Sequence, residues 1–251
     1  MLNISRLAVF GVFSSLTVAG CSAAEETPVE MSREAIEDIV REYILENPEL
    51  ILEAVQKYAA AEEAAEEQAK RAAVADLADD LKDTTHAFAA GAPADKAKVT
   101  IVEFSDFNCG YCKAAVTPVM ELIEKEKDVR FVFRELPILA PLSEEAAKAA
   151  LAARSQDRYM DYHIALLRAP GRLSSERLYT IAEETGLNPE KLKADMKSAE
   201  VDTALEDTFR LARAIGLNST PSFIVIADGY AEVMAGWSEQ RLQAMLAEAR
   251  K

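Results

Sequence analysis

Two cysteines three residues apart, Cys109 and Cys112, most constrain how this chain can fold. They follow a short apolar run at 99–105 (VTIVEFS) and begin a helix-compatible stretch at 109–127, and a second apolar run follows at 129–135 (VRFVFRE). Short apolar runs separated by a helical stretch predict a βαβ unit. A Cys-x-x-Cys beside such a unit indicates a redox-active dithiol, because one turn of helix brings the two sulfurs within bonding distance.

The predicted helix start gives the two cysteines different roles. Unpaired N–H groups and the helix dipole stabilise a thiolate on the first cysteine. Lys113 adds to this effect, whereas Asp106 opposes it. We therefore predict that Cys109 is the nucleophile and that Cys112, one turn deeper, is the resolving thiol. Asp106 itself is interpreted as a cap of its own loop.

A metal site is the alternative interpretation of the cysteine pair. A closed structural zinc site needs four ligands, and once Cys21 is set aside only His86 and His163 remain to complete one. Neither histidine stands in a second ligand cluster, and His163 falls on an amphipathic helix, where a core or surface-rim position is expected. The methionines are dispersed, so a methionine copper site finds no support. We predict no metal and no cofactor.

The first 20 residues have the pattern of an export signal, with Arg6 before an apolar run, 7–19, that is too short to span a bilayer. The run ends at Cys21 in the sequence VAGC, which resembles a bacterial lipoprotein signal box. That resemblance implies lipidation of Cys21, and Ser22 after it favours the outer membrane. An ordinary secretory signal is the alternative. Either signal predicts a periplasmic protein, in a compartment where disulfides form and persist.

Residues 21–30 are predicted to be a tether and residues 31–86 a helical stalk. A narrow stripe of apolar side chains on a long helix is not buried by that helix alone. The stripe must therefore pack on the main domain or on copies of itself. Residues 87–98 contain Gly and Pro and are predicted to be a linker. The stripe has helical spacing on both sides of Pro48, at Ile36, Ile39, Val40, Tyr43 and Ile44 and at Leu50, Ile51, Ala54, Val55 and Tyr58.

The remaining chain, 99–251, is predicted to be one α/β domain. The βαβ unit is followed by a run of helices over about 142–216, by short strands at 222–227 and 231–235, and by a final helix at 238–250. This order interrupts a small α/β fold with a helical insert.

The same order resembles a known family of enzymes. The pattern FxxFxCxxC before a helix, the helical insert and the late Thr220-Pro221 before a strand are similar to those of the DsbA-type thiol–disulfide oxidoreductases. The resemblance implies a thioredoxin-like fold in which Pro221 is cis, Thr220 packs against the cysteines, and this loop offers its backbone to an extended substrate. It also implies that Glu103 is buried beneath the dithiol, where a carboxyl of raised pKa can carry the proton of Cys112. A carboxylate that reaches solvent at the strand end is the alternative for Glu103.

Two further resemblances bear on the reaction and the assembly. Residues 39–54 (IVREYILENPELILEA) have close counterparts in the oligomerisation helices of ScsC-type copper-suppressor proteins, which are trimers. The Gly110-Tyr111 dipeptide, with Thr220 before the predicted cis-proline, is similar to DsbC-type isomerases. We therefore expect a trimer and favour a disulfide isomerase or reductase. A DsbA-like oxidase and a non-enzymatic scaffold or copper-binding lipoprotein are the alternatives.

The charge of the chain limits its partners. Lys and Arg number 28 against 43 Asp and Glu, a net charge of −15 that nucleic acid and anionic lipid surfaces repel. The expected partners are exported proteins with cysteines, a membrane redox partner, the membrane that holds the lipid anchor, and copies of the same chain.

Overall fold

The computed structural model describes residues 31–251, and this part of the chain contains ten α-helices and one mixed sheet of five strands. The predicted signal at 1–20, the tether at 21–30 and Cys21 lie outside the described residues. A 3-10 helix, Ala153–Gln156, joins the fifth and sixth α-helices. The strands are β1 (Phe88–Gly91), β2 (Val99–Ser105), β3 (Val129–Glu135), β4 (Ser222–Ala227) and β5 (Tyr230–Ala235). The helices are α1 (Arg33–Glu46), α2 (Glu49–Asp76), α3 (Ala78–Lys82), α4 (Gly110–Lys125), α5 (Pro141–Ala152), α6 (Tyr159–Arg168), α7 (Ser175–Glu184), α8 (Pro189–Asp195), α9 (Ala199–Ile215) and α10 (Glu239–Ala249).

The chain divides into two compact units, the first ending at Gln56 and the second running from Lys57 to Lys251. Within the described part of the first unit lie α1 and the beginning of α2. Across residues 31–251, none of the helices combines the length and the apolar character needed to cross a bilayer.

Polar caps define both ends of α1. The Ser32 hydroxyl accepts a hydrogen bond from the Ala35 N–H at 3.2 Å, and the Asn47 side chain donates to the carbonyl of Tyr43 at 2.8 Å. No residue of α1 is buried, so the apolar stripe that the sequence predicts for this helix remains exposed.

The second unit is organised around the sheet, whose strand order is β1-β3-β2-β4-β5. Strands β2 and β3 run parallel, whereas the other neighbours are antiparallel. All seven residues of β2 are buried, because helices cover both faces of the sheet. Ile101 and Phe131 lie in a core with α4 and the inserted helices, whereas Val102 and Phe104 lie in a core with the C-terminal part of α9.

Five helices, α5 to α9, are inserted between β3 and β4. The side chains of Ser174, Asn188 and Ser198 cap α7, α8 and α9, each accepting a hydrogen bond from a backbone N–H three residues ahead. Gly186 and Gly216 follow α7 and α9 with φ angles of 80° and 75°, a left-handed backbone that glycine adopts without a steric cost. The run of helices predicted over about 142–216 agrees with this insertion.

The linker predicted over 87–98 differs from the structure, because Phe88–Gly91 forms the edge strand β1. This strand pairs antiparallel with β3, and the Phe88 ring stacks on Tyr159 with 4.5 Å between ring centroids. Gly91 has a φ of 85°, and a Cβ added there would lie 2.6 Å from the Val129 carbonyl oxygen. Gly91 therefore allows the backbones of β1 and β3 to approach closely. Amino-acid composition alone does not distinguish a glycine in this role from a glycine in a flexible linker.

The stalk predicted over 31–86 also ends earlier than the sequence suggests. Val74 near the end of α2 and Leu81 in α3 are completely buried, in the same core as Phe104. Two apolar residues among alanines and charged residues do not stand out in the sequence, and their burial depends on the distant strand β2. The chain from Lys57 onward belongs to the unit that contains the sheet.

We expect Leu81→Ala to lower the free energy of unfolding by about 2–5 kcal/mol, the usual cost of removing a buried leucine side chain. Leu139→Ala is the matched control, because 52% of Leu139 is exposed, and it should change this free energy by less than about 0.5 kcal/mol. Urea denaturation followed by circular dichroism measures both variants. Two equally small effects would mean that the end of the predicted stalk contributes nothing to this core.

Candidate active site

The nucleophile predicted from the sequence lies at the start of α4. Cys109 is the N-cap residue of this helix, and its thiol donates a hydrogen bond to the carbonyl oxygen of Thr220, with 3.1 Å between Sγ and O. Cys109 is 4% exposed, whereas Cys112 is completely buried. Both residues are free thiols, so the structure represents the reduced dithiol.

The loop before β4 supplies the carbonyl group that faces Cys109. Its Thr220–Pro221 peptide bond is cis, as the family resemblance implies. The carbonyl of Pro221 accepts a hydrogen bond from the Gly236 N–H at 2.8 Å, which ties the loop to the end of β5. The Ser222 hydroxyl donates to the carbonyl of Ser219 at 2.8 Å and closes the loop on its other side. The Thr220 carbonyl is therefore held in a fixed position against the thiol.

Cys112 does not ionise readily in this environment. Burial raises the pKa of the Cys112 thiol far above its usual range, whereas a hydrogen bond from the Asp106 backbone lowers it. The charges of Cys109 and Glu103 raise this pKa further. A thiol in such surroundings becomes a nucleophile when a neighbouring base removes its proton.

Glu103 in β2 is close enough to Cys112 for its charge to affect that thiol. It is 2% exposed, so the alternative of a carboxylate that reaches solvent does not agree with the structure. Burial raises the pKa of Glu103 to about 7, with His163 opposing the shift and Glu135 adding to it. A carboxyl with this pKa is half protonated near neutral pH and can both accept and return the proton of Cys112.

Asp106 joins two loops close to the dithiol. One of its oxygens accepts hydrogen bonds from the Asn108 N–H and the Ser143 hydroxyl, both at 2.8 Å. The other accepts from the N–H groups of Ile138 and Leu139, both at 3.0 Å. Asp106 thus caps its own loop as predicted and also fixes the loop that follows β3. The exposed side chains of Ile138 and Leu139 add an apolar surface that the sequence analysis did not identify.

Lys113 connects α4 to the inserted helices. Its ammonium group donates hydrogen bonds to the carbonyls of Ala169 at 2.9 Å and Gly171 at 2.7 Å, in the loop after α6. Partial burial lowers the pKa of Lys113. The sequence predicts that this charge supports the Cys109 thiolate, whereas in the structure the ammonium is bound by these two carbonyls.

The dipeptide between the cysteines forms the first turn of α4. Tyr111 is 77% exposed, and a Cβ added at Gly110 would meet no atom within 4 Å. Both residues are therefore available to contact a substrate. Over residues 31–251, no group of three or more His, Cys, Asp or Glu side chains is arranged to hold a metal ion.

A second buried polar cluster includes residues that the sequence analysis missed. Glu135 at the end of β3 accepts a hydrogen bond from the Tyr159 hydroxyl, and its Oε1 lies 3.2 Å from Nδ1 of His163. All three residues are buried, so the core position considered for His163 agrees with the structure. The signal available in the sequence was Glu135, because an acidic residue at the end of an apolar strand needs a polar partner if it is buried. Its partners lie 24 and 28 residues later in an inserted helix, and only the fold brings them together.

Residues 82–235, more than half of the chain, match the family model described as Thioredoxin. The chain belongs to the thioredoxin family. Residues 33–65, in α1 and α2, match the N-terminal domain of copper resistance protein ScsC.

Solved structures and curated proteins resemble different shares of the chain. A thioredoxin-like oxidoreductase from Silicibacter pomeroyi DSS-3 is 38% identical with a TM-score of 0.62, over 68% of this chain and 95% of that one. BcfH from Salmonella enterica Typhimurium is 26% identical with a TM-score of 0.74, over 87% and 96% of the two chains. The Na(+)/H(+) antiporter NhaA 1 of Salinispora arenicola is 31% identical over 132 residues, 52% of this chain. The chain spans about a fifth of the length of the curated relatives that it matches (20% for this antiporter).

The family and the site together identify the chemistry. A reduced Cys-x-x-Cys at a helix start, opposite a cis-proline loop in a thioredoxin-family fold, is the site of a thiol–disulfide exchange protein. The predicted thioredoxin-like fold with its helical insert and the predicted oxidoreductase activity are confirmed. The thioredoxin-family part of the chain, residues 82–235, is of the thiol–disulfide oxidoreductase class.

The buried Glu103 makes the stability of the protein depend on pH. Its pKa is about 7 in the folded protein against an ordinary value of 4.5, so the folded state binds more protons between these values and stability falls as pH rises. We expect Glu103→Gln, which cannot ionise, to exceed the wild type in unfolding free energy by about 3 kcal/mol above about pH 7. The advantage should disappear below about pH 4.5. Urea unfolding of the reduced protein at several pH values measures this difference.

Glu183→Gln is the control for this experiment, because Glu183 is exposed in α7. It should change the free energy of unfolding by less than about 0.5 kcal/mol at every pH. A difference between Glu103→Gln and wild type that stays constant from acid to alkaline pH would contradict the raised pKa of Glu103.

Proposed function

We propose that this thiol–disulfide exchange protein works in the periplasm on exported proteins, as a disulfide isomerase or reductase with Cys109 as nucleophile and Cys112 as resolving thiol. The observation that carries the proposal is the contact of 3.1 Å between the Cys109 thiol and the Thr220 carbonyl. It holds the nucleophile beside a stretch of backbone that can pair with an extended polypeptide, and the substrate sulfur can then approach Cys109.

The proposed reduction proceeds in two exchange steps. The Cys109 thiolate attacks one sulfur of a substrate disulfide, so that a Cys109–substrate disulfide forms and the other substrate sulfur leaves as a thiolate. Cys112 then gives its proton to Glu103 and attacks the sulfur of Cys109. The second substrate sulfur also leaves as a thiolate, both substrate thiolates take protons from water, and the enzyme is oxidised by two electrons. In an isomerisation, a substrate thiolate attacks the mixed disulfide instead, and the reduced enzyme is recovered.

Residues around the dithiol support an isomerase or reductase over a primary oxidase. The Gly110-Tyr111 dipeptide and Thr220 before Pro221 resemble the corresponding residues of DsbC-type isomerases. The exposed apolar side chains near Cys109 suit incompletely folded substrates, because such substrates expose apolar side chains of their own. These side chains belong to Tyr111, Ile138 and Leu139.

We propose that the first unit assembles copies of the chain, with a trimer favoured. Contiguous apolar surface on a pair of helices is typical of an interaction site, and the match to the ScsC N-terminal domain supports assembly through this segment. Several dithiols in one assembly favour isomerisation, because a substrate released from one site meets another. The exposed side chains are those of Ile36, Ile39, Val40, Tyr43, Ile44, Leu45, Leu50, Ile51, Leu52 and Val55.

The proposed location rests on the sequence of the first 21 residues. The export signal supports a periplasmic protein, and lipidation of Cys21 is proposed to hold it at a membrane, with the outer membrane favoured. A membrane redox partner is proposed to return the dithiol to its working oxidation state.

The reduction potential of the Cys109–Cys112 pair distinguishes the subclasses of this function. Glutathione titration of the mature chain without its lipid measures it at equilibrium. We expect a value below about −180 mV, which favours a reductase or isomerase. A value near about −120 mV would make the protein a disulfide donor like DsbA, and a value below about −300 mV would indicate a structural bond.

We expect Cys109→Ser to abolish insulin reduction and the refolding of scrambled ribonuclease, because the first mixed disulfide cannot form. Cys112→Ser should accumulate a covalent adduct with its substrate, because the resolving step is lost. Non-reducing electrophoresis detects this adduct. Full activity of both variants would contradict the proposed roles of the two thiols.

We expect Ile39→Asp to convert the assembled mature chain to a monomer, because a charge then replaces an apolar side chain in the proposed interface. Light scattering measures the molar mass, and the rate of reaction of the dithiol with glutathione should stay unchanged. Glu42→Gln, at another exposed position of α1, is the control and should leave the assembly intact. A wild-type chain that is already monomeric would overturn the proposed assembly.

A further inference from the structure

We propose that Glu135, His163 and Tyr159 form a buried charge cluster that sets the protonation of Glu103 and thereby controls proton transfer to and from Cys112. Glu135 and His163 act through Glu103, so they are positioning residues for the exchange reaction. The inference rests on the thiol–disulfide exchange described above, and it assigns a role to side chains that this reaction does not otherwise use.

Three contacts define the cluster. The Tyr159 hydroxyl donates to Oε1 of Glu135, and the same oxygen lies 3.2 Å from Nδ1 of His163. The Tyr159 oxygen lies 3.3 Å from that nitrogen, which completes a triangle of polar atoms. Glu135 is 1% exposed, as are Tyr159 and His163. The other carboxylate oxygen of Glu135, Oε2, is buried without a hydrogen-bond partner among the described residues.

Aromatic rings surround the cluster and separate it from water. The His163 ring stacks on Tyr159 at 5.4 Å and meets the edges of Phe107 at 5.3 Å and Phe133 at 5.1 Å, all between ring centroids. Phe133 is also the strand neighbour of Glu103 in the parallel pair of β2 and β3. Charges in such apolar surroundings interact strongly, because little solvent screens them.

The charged and titratable groups that act on Glu103 come from several elements. Glu135 comes from β3, His163 from α6 and Cys112 from α4. Tyr159 from α6 is affected by Glu103 and by Glu135, and Arg154 from the 3-10 helix opposes both. The antiparallel neighbour of Glu103 in β4 is the apolar Phe223.

The signs of these interactions determine what the cluster does. Burial raises the pKa of Glu103 to about 7, the positive charge of His163 lowers it, and the negative charge of Glu135 raises it. Burial and the charge of Glu135 raise the pKa of Tyr159 well above its usual value, so its hydroxyl remains a donor to Glu135. Glu103 therefore titrates near neutral pH mainly because it is buried, with His163 as the neighbour that lowers its pKa and Glu135 as the neighbour that raises it.

The chemical step is simplest in the direction that reduces the enzyme. An incoming thiolate attacks Cys109, the Cys109–Cys112 disulfide breaks, and a bond between Cys109 and the incoming sulfur forms. Cys112 takes the electron pair of the broken bond and receives the proton of Glu103. The attacking thiolate brings the negative charge, and that charge ends on the carboxylate of Glu103. The protonated form of Glu103 thus accelerates this step.

Two substitutions test the cluster, because they should move the titration of Glu103 in opposite directions. His163→Gln removes the side chain that lowers the pKa of Glu103 and should raise the pH midpoint of Glu103 by about one unit or more. Glu135→Gln removes the negative charge, keeps an oxygen for Tyr159, and should lower the midpoint by a similar amount. The carboxyl carbon signal of Glu103, labelled with carbon-13 and assigned by its loss in Glu103→Gln, reports this titration without reference to activity.

The rate of reduction by glutathione provides the second measurement. Calculated per glutathione thiolate, the second-order rate constant of the oxidised wild type should fall as pH rises through the pKa of Glu103. The midpoint of this fall should move up in His163→Gln, move down in Glu135→Gln and vanish in Glu103→Gln. Tyr162→Phe is the matched control, since the buried Tyr162 hydroxyl on the same helix donates to the Leu178 carbonyl at 3.0 Å. It should leave the midpoint unchanged.

The outcomes separate this inference from the proposed function. A wild type that does not react with glutathione disulfide or glutathione would overturn both. If the wild type reacts but both variants keep its midpoint, or both shift the midpoint in the same direction, only the proposed role of the cluster is overturned. If His163→Gln does not fold, Glu135→Gln decides, because a midpoint at or above that of the wild type contradicts the proposal.

Discussion

Burial of two titratable groups, Cys112 and Glu103, in the same apolar core governs the chemistry of this protein. Burial raises the pKa of both groups, so neither holds a charge without help from its surroundings. A proton that moves between them is therefore the simplest way to create and remove the Cys112 thiolate. The strands and the inserted helices keep this pair away from solvent, and the exchange reaction depends on that exclusion.

Cys109 and Cys112 lie in different surroundings. Cys109 stands at the N-terminus of α4, where backbone N–H groups favour negative charge, and it contacts the carbonyl of Thr220. Asp106 fixes the neighbouring loop through four hydrogen bonds and ties it to the chain after β3. One Cys-x-x-Cys thus contains a thiol at a helix start that keeps a small exposed area and a thiol that is completely buried.

Local patterns predicted the parts of the fold that depend on neighbouring residues. The strands at 99–105 and 129–135 agree with the structure residue for residue, since apolar runs of that length on both sides of a helix leave few alternatives. The edge strand at Phe88–Gly91 was missed because its partner β3 lies about 40 residues later in the chain. Val74 and Leu81 were missed for the same reason, as their burial depends on β2.

The sequence by itself predicted the reaction class, the position of the two cysteines at a helix start, the helical insert and the apolar stripe of α1. These features can be predicted from the spacing of residues along the chain, because residues at helical or strand spacing are neighbours within the same helix or strand. Only the tertiary structure decided which carboxyl groups are buried together. Glu103, Glu135 and His163 lie on three different elements, and the pKa of Glu103 depends on their packing within a core that excludes water.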